Sequence, residues 1–260
     1  MTIGFIGTGN MGGALMAAMA SRYDLCAYNR GREKLERICE TTGARPMGSA
    51  AEVAAAADML ILAVKPYIIP DVLRELAGHI RPETLVVTVA VSLPLSLYES
   101  ALGSDKKIIR AMPNTPAAVN AGVTAFCCNG NCTEQDKATF TEAFSAAGIT
   151  EELPEHLMGA VSALTGSSPA YICMLIEAMA DAAVCQGIPR AQAIRMAAQA
   201  VGGTAKLVLE SGKHPEQLKD EVCSPGGTTI RGVASLEQSG FRGSVIAALN
   251  ATAEAARDKG

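Results

Sequence analysis

No stretch of this 260-residue chain is strongly basic: 22 lysines and arginines are mixed with 26 aspartates and glutamates, for a net charge of −4. Without a basic stripe to neutralise phosphates, neither nucleic acid nor an anionic membrane is an expected partner, and a small molecule is. Histidine is scarce, with only His79, His156 and His214. The eight cysteines contain no Cys-x-x-Cys pair. The one cluster, Cys127-Cys128-Asn129-Gly130-Asn131-Cys132, has no nearby histidine and predicts no metal. Scattered thiols among apolar residues suit a reduced, cytoplasmic protein. The first apolar run has no basic segment before it and no cleavage site, so no signal peptide is expected. The longest apolar run, residues 170–188, carries Glu177 and Asp181 near its middle. Each would cost about 2.5–3.5 kcal/mol at a bilayer centre, which predicts a soluble helix and no membrane span.

What is present is enough apolar sequence, 49%, for a sizeable core in two domains. Up to about residue 152, short β-rich runs (2–7, 25–29, 58–64, 85–89, 107–112, and more weakly 44–47 and 122–128) alternate with helical stretches such as 11–20, 32–40 and 70–78. Such alternation predicts a mainly parallel sheet covered by helices on both faces. From residue 153 strand signals stop. Alanine- and methionine-rich segments at 155–164, 168–186, 190–210 and 242–258, several opened by proline, predict an all-helical second domain over 153–260.

The first strand runs into Ile6-Gly7-Thr8-Gly9-Asn10-Met11-Gly12, a Gly-x-Gly-x-x-Gly turn in the strand–turn–helix setting that dinucleotide binding requires. Gly7 permits the tight turn, Gly9 lets the backbone approach a pyrophosphate, and Gly12 lets helix and strand pack closely. The helix N-terminus then favours the negative charge. Residues 1–152 are therefore expected to form a Rossmann-type, doubly wound α/β domain. The second strand ends on Asn29 and Arg30, followed by Arg32 and Lys34, where an NAD site carries an acid for the ribose 2′-hydroxyl. A guanidinium there could pair with a 2′-phosphate, so NADPH is preferred over NADH, which stays possible.

Five segments in order resemble the pyrroline-5-carboxylate reductase family: "GFIGTGNMG"; Ala63-Val64-Lys65-Pro66; "RAMPNTP" (110–116); "TGSSPAY" (165–171); and "SPGGTT" (224–229). Three departures stand out. Ser168 replaces a usual glycine, Ala50 a common asparagine near the cofactor, and the run Ala90-Val91-Ser92 a common Ala-Gly. By itself the 224–229 run has two readings, an elaborate helix N-cap made by Ser or Thr, or an anion site of free N–H groups.

The resemblance implies reduction of the cyclic imine 1-pyrroline-5-carboxylate to L-proline, the last step of proline biosynthesis. It implies that Gly226, Gly227 and Thr228, with Ser224, hold the substrate carboxylate and that the Thr229 hydroxyl lies beside the ring nitrogen. It also implies that residues 63–66 touch the cofactor, although Lys65 can equally be a solvated loop charge. The helical domain would be a dimerisation domain, each active site drawing on both subunits of a homodimer or larger assembly. Two rivals are a 3-hydroxyacid dehydrogenase, which needs a lysine that residues 169–186 do not contain, and a non-catalytic NADP-binding protein, which has no use for "SPGGTT".

Overall fold

The computed structural model describes residues 1–90 and 92–257. Val91 of the Ala90–Ser92 departure and the last position of the 242–258 helix thus lie outside the described residues.

The chain opens with β1 (Thr2–Ile6), α1 (Asn10–Met19), β2 (Asp24–Tyr28), α2 (Arg32–Thr42), β3 (Arg45–Pro46), α3 (Ala50–Ala56) and β4 (Met59–Leu62). A 3-10 turn at Pro66–Ile68 leads to α4 (Ile69–Leu76), β5 (Leu85–Thr88), α5 (Leu95–Leu102), β6 (Lys107–Pro113), β7 (Gly122–Cys128), α6 (Glu134–Phe144) and β8 (Gly148–Glu152). The eight strands form one sheet in the order β3-β2-β1-β4-β5-β6-β7-β8. Every pair is parallel except β6 with β7. The first six follow the order of a doubly wound dinucleotide fold, with the switch point between β1 and β4. Alternate residues feed two cores. Ile3, Phe5, Met59, Ile61 and Val87 pack on one face, and Ile6, Leu60, Leu62 and Val86 on the other. Burial on both faces explains why these strands read as continuous apolar runs.

The strand β8 was not expected. Its sequence, Gly-Ile-Thr-Glu-Glu, carries little apolar signal, and Ile149 is 49% exposed. It exists because β7 offers a free edge, with Val123 facing Ile149 in register.

Compactness divides the chain later than the expected 152/153 boundary. One unit is Met1–Gly166 with the chain end from Ala253, and the other is Ser167–Thr252. In the first, α7 (Met158–Val161) buries Met158 and Val161 among Leu60, Val86 and Ile108. A π-helical turn, Ser162–Ser167, follows without the break expected near residue 165. Pro169 has no N–H to donate to the carbonyl four residues back, which belongs to Thr165. The Asn114 side chain donates to it instead, Nδ2 to O at 3.1 Å.

The second unit contains α8 (Ser168–Cys185), α9 (Arg190–Ser211), α10 (Pro215–Val222), α11 (Thr228–Gln238) and most of α12 (Phe241–Arg257). Here α10 is an addition to the expected helices, started by Pro215 and by the His214 ring, which accepts from Glu216 N. The helices α8 and α9 pack side by side, and Asp181 pairs with Arg190 near their connection. This unit's own core is thin. Ala180, Ala193, Ala197 and Leu218 are its buried apolar residues, whereas Ile172, Met174, Met196, Leu209 and Ile246 are exposed. The run Glu155–Cys185 is long and apolar enough to cross a membrane by length and composition alone.

Candidate active site

The glycine turn lies at the carboxyl ends of β1 and β4. Gly7 has φ +100°, and a Cβ there would come 2.6 Å from the Ala63 carbonyl oxygen. A Cβ on Gly12 would meet Gly7 O at 2.3 Å, so α1 can approach the strand only through glycine. Gly9 differs. A Cβ there would meet nothing within 4 Å, leaving the backbone open on that side. Gly9 is also the N-cap of α1, and no side chain caps the helix. The Thr8 hydroxyl is buried without a hydrogen-bond partner among the described residues. An open backbone, uncapped N–H groups and an orphaned hydroxyl together fit a bound pyrophosphate.

The rim is built by β2 and β4. Asn29 Oδ1 accepts from Thr8 N (3.3 Å) and its Nδ2 donates to Gly31 O (3.0 Å), so both arms of the amide tie the turn to the end of β2. Arg32 pairs with Glu36 at 3.0 Å, while Arg30 is exposed and lines two adjoining cavities. One, of about 160 Å³, is walled by Ile6, Gly7, Val64, Ile68 and Val72, with Asp71 and Glu75 at its edge. The other, of about 310 Å³, runs along Arg32, Leu35 and Met47. Ala63 is anchored by its N–H to Ile6 O at 2.8 Å. Lys65 is exposed at the start of the Pro66–Ile68 turn. The structure thus brings together the 6–12, 29–30 and 63–66 groups. Ala50, one of the departures, is fully buried at the start of α3, and its N–H donates to Glu75 Oε1 at 3.2 Å.

Sequence reasoning passed over Ile68, at the end of the 3-10 turn, and Val72 and Glu75, whose only signal was the amphipathic pattern of α4. It also passed over the buried pair Thr88 and Tyr98 at the carboxyl end of β5. Their hydroxyls are 2.7 Å apart, and Ala90 N donates to Thr88 Oγ1 at 3.2 Å. Burial raises the pKa of Tyr98 despite that bond, so the phenol stays neutral.

In the other unit, Ser224 to Gly227 form a tight turn. Gly227 N donates to Ser224 O at 3.0 Å, Pro225 sits second and Gly226 third with φ +69°. That is the residue pattern of a type II turn. At Gly227, the N-cap of α11, a Cβ would lie 2.3 Å from Ser224 Oγ, so any side chain there would force the Ser224 hydroxyl to turn away. Of the two readings of this run, a cap made by a Ser or Thr side chain is not formed: no side chain caps α11. The first-turn N–H groups are left for another acceptor, with Ser224, Thr228 and Thr229 exposed around them. Ser168 opens α8 directly after the π-helical turn, and α8 contains no lysine. Among the described residues, no group of three or more metal-ligating side chains exists.

The strand order, the switch point and the open glycine turn define a dinucleotide-binding protein of the Rossmann type. Residues 2–92 match the family described as NADP oxidoreductase, coenzyme F420-dependent, and residues 155–259 match pyrroline-5-carboxylate reductase dimerisation. The pyrroline-5-carboxylate reductase of Escherichia coli (strain K12) is 47% identical over 95% of this chain and 94% of its own. The solved structure of the Coxiella burnetii pyrroline-5-carboxylate reductase superposes with a TM-score of 0.91 at 34% identity, covering 99% of this chain and 97% of that one. That of Plasmodium falciparum pyrroline carboxylate reductase with NADP bound gives 0.87 at 32% identity, over 100% and 98%. The chain belongs to the pyrroline-5-carboxylate reductase family.

Proposed function

We propose that this protein reduces 1-pyrroline-5-carboxylate to L-proline with NADPH, the last step of proline biosynthesis. The observation that carries the reading is the uncapped start of α11 behind the Ser224–Gly227 turn. It sits in a chain that also holds an open dinucleotide turn. The two glycine loops divide the work, one receiving the cofactor's phosphates and the other a small carboxylate. Residues 1–152 act as the dinucleotide-binding domain and 153–260 as the helical dimerisation and substrate domain.

When bound, the cofactor supplies the hydride. Ile6, Gly7, Thr8, Gly9, Asn10, Met11 and Gly12 cradle it, with Asn29, Arg30, Ala63, Val64, Lys65 and Pro66 at the rim. Arg30 selects NADPH, since it is the rim guanidinium without a carboxylate partner among the described residues, and a 2′-phosphate is its natural acceptor. The N–H groups near Gly226, Gly227 and Thr228, helped by Ser224, bind the substrate carboxylate. The Thr229 hydroxyl hydrogen-bonds the ring nitrogen. A protonated imine is already electrophilic, so positioning and one hydroxyl suffice without a histidine or carboxylic acid.

The exposed apolar residues of α8, α9 and α12 pair with a second copy, making a homodimer or larger assembly. Eight free cysteines suit a reducing cytoplasm. The deciding experiment is turnover of 1-pyrroline-5-carboxylate with NADPH and with NADH, alongside sedimentation at micromolar concentration. Absence of turnover overturns the catalytic reading, and an active monomer overturns the paired one.

A further inference from the structure

We infer that Cys128 and Cys132 form a dithiol site that hydroperoxides oxidise to an intramolecular disulfide. The pair belongs to the one cysteine cluster of the sequence, and neither thiol has a part in hydride transfer.

Cys128 is the last residue of β7 and stands opposite Ile109. Side chains alternate along the strand. Ala125 and Cys127 enter one core, whereas Phe126 and Cys128 face the other. Cys132 packs against that second core as well, so both thiols lie on one face of the sheet at one end of β7. The connection between them is held at several points. Cys132 N donates to Asn129 O (3.3 Å) and Asn129 N to Ile108 O (3.0 Å). The Asn129 side chain accepts from Ile108 N (3.1 Å) and donates to Lys106 O (2.9 Å). Cys132 Sγ is 3.5 Å from both Ile108 O and Asn129 Oδ1. Cys128 stands opposite Ile109 and Cys132 Sγ lies against Ile108 O, so both thiols meet the same stretch of β6.

The chemistry is that of a close dithiol. One sulfur of the pair, as thiolate, attacks one oxygen of hydrogen peroxide. The O–O bond breaks, and the departing hydroxide takes the proton that this thiol released to become water. The other sulfur then attacks the sulfenic acid so formed, the S–S bond forms, and the second hydroxyl leaves as water with the second thiol's proton. Two thiols and one peroxide give one disulfide and two waters.

Access supports the assignment. Both residues are partly exposed, unlike Cys26, Cys39 and Cys127. They fall outside residues 155–259, which match the dimerisation family. They also lie where β6 begins, at the end of the sheet opposite the carboxyl-end crevice at β1 and β4.

The test exposes the native full-length assembly to hydrogen peroxide at one to ten equivalents, about the range in which a reactive dithiol outcompetes ordinary thiols. Free thiols are then blocked and peptides mapped by mass. The expected product has lost two hydrogen atoms, links Cys128 to Cys132 within one chain, returns to the dithiol with a reducing agent, and forms about tenfold faster than Cys173 or Cys185 is modified. In Cys128→Ser, a sulfenic-acid trap such as dimedone should label Cys132. Peroxide consumption at Cys173, Cys185 or Cys223 before the pair, or a wild-type chain in which Cys132 goes to sulfinic acid with Cys128 still free, overturns the assignment. The wild-type map decides even if a variant fails to fold.

Discussion

Asn114 reaches from the end of β6 to the π-helical turn and donates to Thr165 O at 3.1 Å, while its own Oδ1 accepts from Val123 N at 2.9 Å. One buried amide thus fills the place of the N–H that Pro169 lacks and also fastens the start of β7. Asn114→Ala strips partners from a carbonyl and an N–H at once, and should cost about 1–3 kcal/mol of stability. The urea midpoint measures this. An unchanged midpoint would mean that water replaces the amide without penalty.

The proposed preference for NADPH rests on Arg30. Arg30→Asp should weaken NADPH binding far more than NADH binding, because a carboxylate would then face the 2′-phosphate. Titration calorimetry with both cofactors reads the difference directly. Equal losses would show that Arg30 does not read the phosphate.

Thr229→Val keeps the side chain's shape and removes its hydroxyl. Turnover should fall about ten- to a hundredfold, equivalent to about 1–3 kcal/mol of transition-state stabilisation, with NADPH affinity little changed. Gly227→Ala should act differently, since its Cβ would push Ser224 Oγ out of the proposed carboxylate site, raising KM first. Wild-type turnover in Thr229→Val would leave the hydroxyl without a catalytic part.

Glu216 joins α10 to the start of α12. Bonds from Lys219 and Arg242 hold its carboxyl pKa down at about 2. The folded state thus binds this proton more weakly than the unfolded chain does. Its contribution is complete above the ordinary glutamate pKa and disappears as pH falls through about 2. Glu216→Gln should therefore lower the urea midpoint at neutral pH, with the gap closing as the solution is acidified and shrinking with added salt. A gap that persists at low pH would assign the effect to packing instead.

Much of the first unit was legible because its demands are local. Gly7 must adopt φ +100° against Ala63, and a Cβ on Gly12 would stand 2.3 Å from Gly7 O. Such positions accept glycine alone, so their spacing announces the turn before any contact is known. The apolar strands were equally plain, since a sheet buried on both faces leaves no alternation to misread. The 224–229 loop declared itself through Pro225 and two glycines, but not the identity of the cap. Ser and Thr are the usual capping residues, and only the geometry of Gly227 removes them from that role.

What local pattern could not carry, tertiary structure decided. Nothing in Gly-Ile-Thr-Glu-Glu specifies a strand until β7 presents an unpaired edge. The π-helical turn continues into α8 because Asn114, distant in sequence, bonds the carbonyl that Pro169 leaves free. Arg30 and Arg32 read alike as letters. Glu36 one helical turn beyond Arg32 occupies one guanidinium, while Arg30 stays at the cavity rim. Cys128 and Cys132 read as a cluster without metal spacing, and only the strand's alternation and the Asn129 turn set them on one face. Backbone conformations are written residue by residue, because steric limits act within a few bonds. Partners across the sheet are chosen by register and packing, which exist only once the whole chain has folded.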